Sequence, residues 1–197
     1  MKVAIVDNGT DCLPQLMNLC SIHNFSQEVL PAHALRKHHD FSHFDLILLS
    51  GGIWYDEATA LQEHYGEEVK LIAQSGTPII GVCLGMLLIC IAFGGTTHAL
   101  SDRVEGPRTI AVTAEGAKHL DGITSAEVFE NHSKDIVSVP EDIVPLARSG
   151  ESSESIEIIR HRNLPIVGLQ FHPEMLHTET NNRLWNAAIS LVAKAKP

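Results

Sequence analysis

The first half of the chain alternates continuous apolar runs with stretches in which apolar residues recur at helical spacing. The runs at residues 45–49 and 78–82 are typical of strands that are buried on both faces of a sheet. Between them, residues 58–74 have the spacing of an amphipathic helix. Earlier elements are predicted as a strand at 2–7, a helix over about 11–24 and a short strand at 26–30. This alternation predicts an α/β fold with a doubly wound, mostly parallel central sheet and helices on both faces.

The second half of the chain has a different pattern, with short apolar segments separated by turns. Their spacing favours antiparallel pairing, so we expect an antiparallel sheet added to one side of the parallel strands. The predicted strands lie at residues 108–113, 127–130, 136–139, 144–148, 155–161 and 166–171, and an amphipathic helix follows at 182–196. Because the 197 residues contain no evident repeat or linker, residues 1–197 are expected to form a single domain.

The composition argues against several classes of protein. A formal net charge of −10 disfavours nucleic-acid binding, which requires basic patches. No apolar stretch reaches the length of about 18 residues that predicts a membrane span. Four cysteines without a disulfide-framework spacing favour a reducing, cytoplasmic location. A cluster of histidines fits no metal-binding spacing, and its members are His33, His38, His39 and His43. We therefore expect this segment to be an exposed connector, and we expect the protein to have no metal or cofactor.

The segment GVCLG at residues 81–85 joins a predicted strand to an apolar, helix-like run. A nucleophile between small residues at such a turn is the pattern of a nucleophile elbow, which exposes the central side chain above the sheet. Glycines flank it because a Cβ would clash in so sharp a turn. The N-terminus of the following helix favours a thiolate near neutral pH. Cys83 is therefore the candidate nucleophile, whereas Cys12, Cys20 and Cys90 are interpreted as packing residues in apolar helical contexts.

A cysteine nucleophile needs a general base and a group that orients the base. The tripeptide His172-Pro173-Glu174 follows directly after the apolar strand predicted at 166–171. If this strand joins the parallel sheet, His172 lies at the same edge of the sheet as Cys83. Glu174 can accept a hydrogen bond from the imidazole and thereby fix its tautomer and orientation. The sequence therefore predicts a triad of Cys83, His172 and Glu174.

These segments also resemble a known family. GVCLG after one buried strand, LSGG after another and QFHPE after a late strand are similar to the class I (triad) glutamine amidotransferase domain, over nearly the whole chain. The segments VAIVDNG, FENHSKDI and QFHPEMLHTE resemble in particular the amidotransferase subunit of GMP synthetase. The resemblance implies a flavodoxin-like fold and hydrolysis of the glutamine side-chain amide through a thioester. It also implies no cofactor and transfer of ammonia to a separate ATP-dependent synthetase in purine biosynthesis.

Carried over residue by residue, the resemblance assigns a role to each part of the site. Cys83 resembles the nucleophile, His172 the general base and acid, and Glu174 the orienting carboxylate. The implied oxyanion hole consists of the backbone N–H groups of Gly52 and Leu84. The implied substrate contacts, several of them through the main chain, fall on Gly51, Leu87, Asn131, His132 and Ser133.

Two positions depart from the family pattern. Leu87 stands where the family normally has a glutamine that hydrogen-bonds the substrate. Loss of such a bond corresponds to about ten- to a hundred-fold weaker binding. Ile53 and Trp54 also replace the usual loop after the double glycine and can reshape the pocket. Two alternatives therefore stay open: a free-standing cysteine hydrolase of γ-glutamyl or related amides, and a catalytically impaired regulatory homologue.

Overall fold

The computed structural model describes residues 1–35, 40–150 and 155–194, so part of the predicted histidine connector, at 36–39, lies outside the described residues. The strands are β1 Lys2–Asn8, β2 Ser26–Pro31, β3 Leu46–Gly52, β4 Ile79–Val82, β5 Thr96–Val112, β6 Ser125–Ser138, β7 Ile143–Ser149, β8 Ile156–His161 and β9 Ile166–Leu169. The helices are α1 Leu13–Ile22, α2 Ala58–Gln74, α3 Leu84–Ala92, α4 Ala114–Ala117 and α5 Glu179–Lys194, with a 3₁₀ turn at Ala32–Ala34. Within the described ranges, none of these helices combines the length and the apolar character that crossing a membrane requires.

All nine strands form one sheet in the order β2-β1-β3-β4-β9-β8-β7-β5-β6, and the first five in this order are parallel. Successive residues of β1 alternate between two cores. Val3 and Ile5 pack into the core that contains α1 and α5, whereas Ala4 and Val6 pack into the core that contains α2 and α3. Burial on both faces explains why these strands are continuous apolar runs. The predicted doubly wound α/β fold is confirmed.

Strands β8, β7, β5 and β6 extend the sheet by antiparallel pairing next to β9, as predicted. Two of them are longer than the sequence predicts, because β5 begins at Thr96 and β6 continues through the expected gap at residues 131–135. The first part of β5 is mostly exposed, so it lacks the apolar alternation that identifies a half-buried strand. A register shift between Ala99 and Val104 interrupts its pattern further.

The ends of the parallel strands and the far edge of the antiparallel extension meet at one cleft. Parallel strands place their carboxyl ends at the same edge of a sheet. The edge strand β6 also lies at this cleft. Its residue Phe129 accepts a hydrogen bond, through the backbone carbonyl, from the backbone N–H of His172 at 2.7 Å, and His172 follows directly after β9. Segments that are distant in the chain therefore surround the carboxyl end of β4.

Candidate active site

Cys83 lies at a strained turn between β4 and α3. Its backbone has φ 51° and ψ −106°, a region that residues other than glycine rarely adopt. The flanking glycines permit the turn, because a Cβ on Gly81 would lie 2.5 Å from the carbonyl carbon of Gly85. A Cβ on Gly85 would in turn lie 2.6 Å from the carbonyl oxygen of Leu49. The thiol is thereby held at the N-terminus of α3, where the first N–H groups have no partner within the helix.

His172 and Glu174 form a buried pair directly after β9. The imidazole Nδ1 and Glu174 Oε1 are 2.7 Å apart, and the two residues are 4% and 2% exposed. The turn between them is held from α5, since the side-chain amide of Asn181 donates to the carbonyl of Pro173 at 2.9 Å. With Nδ1–H donating to the carboxylate, Nε2 is the ring atom that is left to exchange a proton.

The pKa of His172 is raised from its usual 6.5 to about 11. Burial lowers this pKa, but hydrogen bonding and charge from Cys83 and Glu174 outweigh burial and raise it. Within the described residues, Nε2 makes no hydrogen bond of good geometry, so we attribute the effect of Cys83 to the proximity of the thiol. The site therefore stabilises an imidazolium close to the sulfur.

The sulfur of Cys83 is surrounded by residues from three segments. Its Sγ lies 3.7 Å from the carbonyl oxygen of Asn131 and 3.9 Å from the side-chain amide nitrogen of Gln170. Gly51 lies between the thiol and the imidazole: a Cβ there would lie 3.1 Å from His172 Cε1 and 3.6 Å from Cys83 Cβ. Glycine at this position therefore leaves the two side chains room to approach each other.

Cys83 opens into a pocket of about 370 Å³. The pocket is lined by most of the residues that the sequence singles out: Gly52, Leu84, Leu87, Asn131, His132, Ser133 and His172. Two other predicted residues contact the imidazole of His172 instead of lining the pocket. Gly51 lies beside the ring, and Glu174 is hydrogen-bonded to it. The fold thus brings residues from β3, α3, β6 and the segment after β9 together around one sulfur.

The loop after β3 forms one side of the pocket and is fastened to β6. Ile53 and Trp54 line the pocket, as does the buried side chain of Leu87, which has no hydrogen-bonding group. The ammonium of Lys134 lies 5.5 Å from the centre of the Trp54 ring and forms a salt bridge with Asp56. Both departures noted in the sequence, at Leu87 and at Ile53 and Trp54, therefore line the same pocket as Cys83.

Several residues that the sequence pattern does not single out for chemistry also line the pocket, among them Cys12, Arg103 and Lys134. The sequence predicts a packing role for Cys12, but the residue is partly exposed at this edge. Cys12 lies shortly after the end of β1. Because ligands bind beyond the carboxyl ends of parallel strands, this position could have predicted that Cys12 lies at the pocket. Arg103 lies in the exposed part of β5, which no apolar pattern reveals.

Among the residues that the structure describes, one group could hold a metal ion. The ligand atoms of Cys12, His172 and Glu174 lie within 4.8 Å of one another. Burial is the main cause that raises the pKa of the Cys12 thiol, whereas metals bind the thiolate. Because Nδ1 of His172 already shares a hydrogen bond with Glu174, we attribute His172 and Glu174 to the predicted triad and not to a metal site.

Behind the pocket, β6 and β8 enclose a cluster of ionisable side chains. His132 Nε2 lies 3.2 Å from Glu130 Oε2, and His132 Nδ1 lies 3.0 Å from the carbonyl oxygen of Lys134. Burial, together with the charges of Glu130 and Asp135, raises the pKa of Glu157 well above its usual value. Since the His132 side chain is only 2% exposed, His132 borders the pocket mainly through its backbone.

Comparison with known proteins identifies the family. The family described as Glutamine amidotransferase class-I matches residues 4–190. One subunit of the glutamine-hydrolysing GMP synthase of Methanosarcina barkeri is 35% identical over 152 residues, which are 76% of this chain and 75% of that protein. The corresponding subunit from Methanococcoides burtonii is 35% identical over 143 residues, which are 72% of this chain and 70% of that protein.

Solved structures agree with the fold. A structure described as that of a GMP synthase subunit from Thermoplasma acidophilum matches with a TM-score of 0.82 at 23% identity, over 98% of this chain and 94% of that one. A glutamine amidotransferase from Thermotoga maritima matches with a TM-score of 0.74 at 18% identity, over 100% and 85% of the two chains. At these identities the structural matches establish the fold alone, and the sequence comparisons establish the family. The chain belongs to the class I glutamine amidotransferases and resembles one subunit of glutamine-hydrolysing GMP synthase.

Proposed function

We propose that the protein is the glutamine-hydrolysing subunit of a two-subunit GMP synthetase and that Cys83, His172 and Glu174 are its catalytic triad. One observation carries the proposal: Cys83 at the start of α3 shares a pocket with His172, raises the pKa of its imidazole, and the imidazole is hydrogen-bonded to the buried carboxylate of Glu174. Family membership supports the reaction class, and the names of two relatives support the pathway. We further propose a single domain over residues 1–197 and a cytoplasmic location, which the four free cysteines support.

The first half of the proposed reaction forms a thioester. The imidazolium stabilises the thiolate of Cys83, which attacks the side-chain amide carbon of glutamine. The backbone N–H groups of Gly52 and Leu84 donate to the oxyanion of the tetrahedral intermediate. His172 then gives its Nε2 proton to the departing nitrogen, the C–N bond breaks and ammonia leaves.

The second half hydrolyses the thioester. His172, now neutral, takes a proton from water at Nε2 while the water oxygen attacks the thioester carbon. The same oxyanion hole stabilises the second tetrahedral intermediate, and its collapse breaks the C–S bond and releases glutamate. The thiolate of Cys83 and the imidazolium of His172 are restored. Throughout, Glu174 accepts the hydrogen bond from Nδ1–H and so keeps Nε2 directed at the reacting atoms.

The other pocket residues are proposed to position the substrate. Gly51 lies beside the ring of His172 and keeps this side of the pocket open. Leu87 faces the pocket with an apolar side chain that suits the methylene groups of glutamine. Asn131, His132 and Ser133 border the pocket on β6, where their backbone groups can meet the substrate. The ATP-dependent step is proposed to belong to a separate synthetase polypeptide, since the relatives are named as one subunit of a GMP synthase.

Ammonia release from glutamine, measured with and without a GMP synthetase ATP-dependent subunit, tests the proposal. The wild-type protein is expected to release ammonia in the complex, and Cys83→Ala is expected to lose this activity. Cys90→Ala is the matched control, because Cys90 lies on the same helix but faces the carbonyl of Ser138. Ammonia release by Cys83→Ala at the rate of the control would refute the nucleophile assignment.

The pocket wall favours one second candidate function, hydrolysis of γ-glutamyl or related amides by the free protein. Leu87 offers no hydrogen bond and the indole of Trp54 lines the pocket, so this side of the pocket suits a substrate with an apolar group beyond that of free glutamine. Turnover of γ-glutamyl conjugates without turnover of glutamine would support this alternative. Labelling of Cys83 by an electrophilic glutamine analogue, one equivalent per chain, would exclude a regulatory homologue with an inactive site.

A further inference from the structure

We propose that Arg103 binds the α-carboxylate of the substrate and selects free α-amino acids over amides that lack this charge. The inference rests on the proposed function and adds a specificity-determining residue to that site. Arg103 lines the same pocket as Cys83 and His172. Its position in β5 places it on the antiparallel side of the pocket, away from α3 and Leu87.

Asn131 links Arg103 to the nucleophile. The Nε–H of Arg103 donates to the side-chain oxygen of Asn131 at 2.8 Å. The backbone carbonyl oxygen of the same residue lies 3.7 Å from the sulfur of Cys83. A single residue of β6 therefore separates the guanidinium from the reacting thiol. The side-chain amide carbon and the carboxylate carbon of glutamine are four bonds apart, about 5 Å in an extended chain, and binding by Arg103 requires one substrate molecule to extend from the thiol, past Asn131, to the guanidinium.

The two terminal nitrogens of the Arg103 guanidinium are available to bind a carboxylate. Its bond to Asn131 uses Nε, and the carboxylate of Glu105 lies 3.9 Å from that same nitrogen. In the part of the chain that the structure describes, the two terminal nitrogens of Arg103 form no hydrogen bond, and the side chain is 61% exposed. Two parallel N–H groups on one edge are the geometry that binds a carboxylate bidentately.

The lysine that lines the pocket already has partners. The ammonium of Lys134 forms a salt bridge with Asp56 and lies over the ring of Trp54. Lys134 therefore holds the loop after β3, whereas Arg103 is held only through Nε. Because Leu87 cannot donate a hydrogen bond from α3, recognition of a charged group on the substrate falls to the opposite side of the pocket.

Steady-state kinetics of ammonia release by the complex with the synthetase test this role. Arg103→Ala is expected to raise KM for L-glutamine about ten- to a hundred-fold, with kcat within about threefold of wild type. Glutamine α-methyl ester keeps the side-chain amide but lacks the carboxylate charge, so its KM is expected to stay the same in the variant. Arg108→Ala is the matched control, because Arg108 lies on the same strand and its terminal nitrogen donates to the carbonyl of Pro107.

A second variant separates direct binding from support of Asn131. Arg103→Gln keeps a donor for Asn131 but removes the charge, and we expect it to resemble Arg103→Ala. Equal losses for glutamine and for the ester, or an unchanged KM for glutamine in Arg103→Ala, would overturn the inference. Calorimetric titration of L-glutamine into Cys83→Ala, with and without Arg103→Ala, decides the same point without turnover. Weaker binding of L-glutamine in the double variant supports the role of Arg103 in substrate binding, whether or not the wild-type complex releases ammonia. Absence of ammonia release would count against the proposed function alone.

Discussion

Replacing Glu68 by glutamine is expected to make the protein more stable near neutral pH. Glu68 lies on α2 and is 1% exposed. Its Oε1 accepts a hydrogen bond from the side-chain amide of Asn8 at 3.1 Å, and its Oε2 has no partner among the described residues. Burial raises the pKa of this carboxyl from its usual 4.5 to about 8, although the bond from Asn8 lowers it. The folded protein therefore holds a proton on Glu68 at neutral pH.

The sign and size of the effect follow from this difference in pKa. Between pH 4.5 and about pH 8, the unfolded chain has released the proton that the folded protein keeps. The contribution of Glu68 to the free energy of unfolding therefore falls as pH rises, by about 1.4 kcal/mol per pH unit. Glutamine keeps the acceptor for Asn8 and does not titrate. Relative to wild type, Glu68→Gln should gain about 3 kcal/mol of stability between about pH 5 and about pH 7.5.

Urea denaturation at these two pH values measures the gain. Glu67→Gln is the matched control, because Glu67 is the neighbouring residue on α2, its side chain is 37% exposed, and it forms a salt bridge with Lys70 at 2.6 Å. Such a surface pair contributes about 0–1 kcal/mol, so the control should change little with pH. A difference between Glu68→Gln and wild type that stays constant from pH 5 to pH 7.5 would refute the buried, protonated state of Glu68.

Three further outcomes are expected in the site itself. Glu174→Gln removes the charge that raises the pKa of His172 and should lower kcat for ammonia release about 10³–10⁴-fold with little change in KM; a loss below tenfold would contradict the orienting role. Gly52→Ala places a Cβ 2.1 Å from the carbonyl oxygen of Asn8 and should lower the free energy of unfolding by about 1–3 kcal/mol in urea; unchanged stability would count against the close approach of β1 and β3. Leu87→Gln adds a donor to the pocket wall and should lower KM for glutamine about three- to tenfold in the same ammonia assay; an unchanged KM would place the substrate away from this wall.

The parallel half of the fold could be predicted because its signals are local. Strands such as β3 and β4 are buried on both faces, so each is a continuous apolar run that no amphipathic helix produces. The elbow around Cys83 is also local, since the glycines that the turn requires lie two residues from the nucleophile. His172 and Glu174 are two residues apart, and one turn brings imidazole and carboxylate together. The chemistry of these short segments therefore follows from the sequence with little help from distant contacts.

Other features depend on contacts between distant segments, which no local pattern reveals. Glu68 has the sequence context of a surface residue on an amphipathic helix, but in the structure it is buried and accepts a hydrogen bond from the side-chain amide of Asn8 on β1. Arg103 belongs to an exposed strand whose pairing with β6 is interrupted by a register shift. Its place in the pocket follows from Asn131, whose side chain accepts from Arg103 and whose carbonyl lies against the sulfur of Cys83. The substrate side of the pocket is therefore less predictable than the triad.

The pairing of β4 with β9 has a consequence for the growing polypeptide. The residue pair Val82 and Leu169 joins β4, the strand directly before Cys83, to a strand made much later in synthesis. A nascent chain that has emerged only as far as α3 thus presents a cysteine without its imidazole and without the carbonyl wall supplied by Asn131. We expect such a chain to release no ammonia, because the proposed nucleophile meets its proposed proton donor, His172, only after all nine strands have been translated.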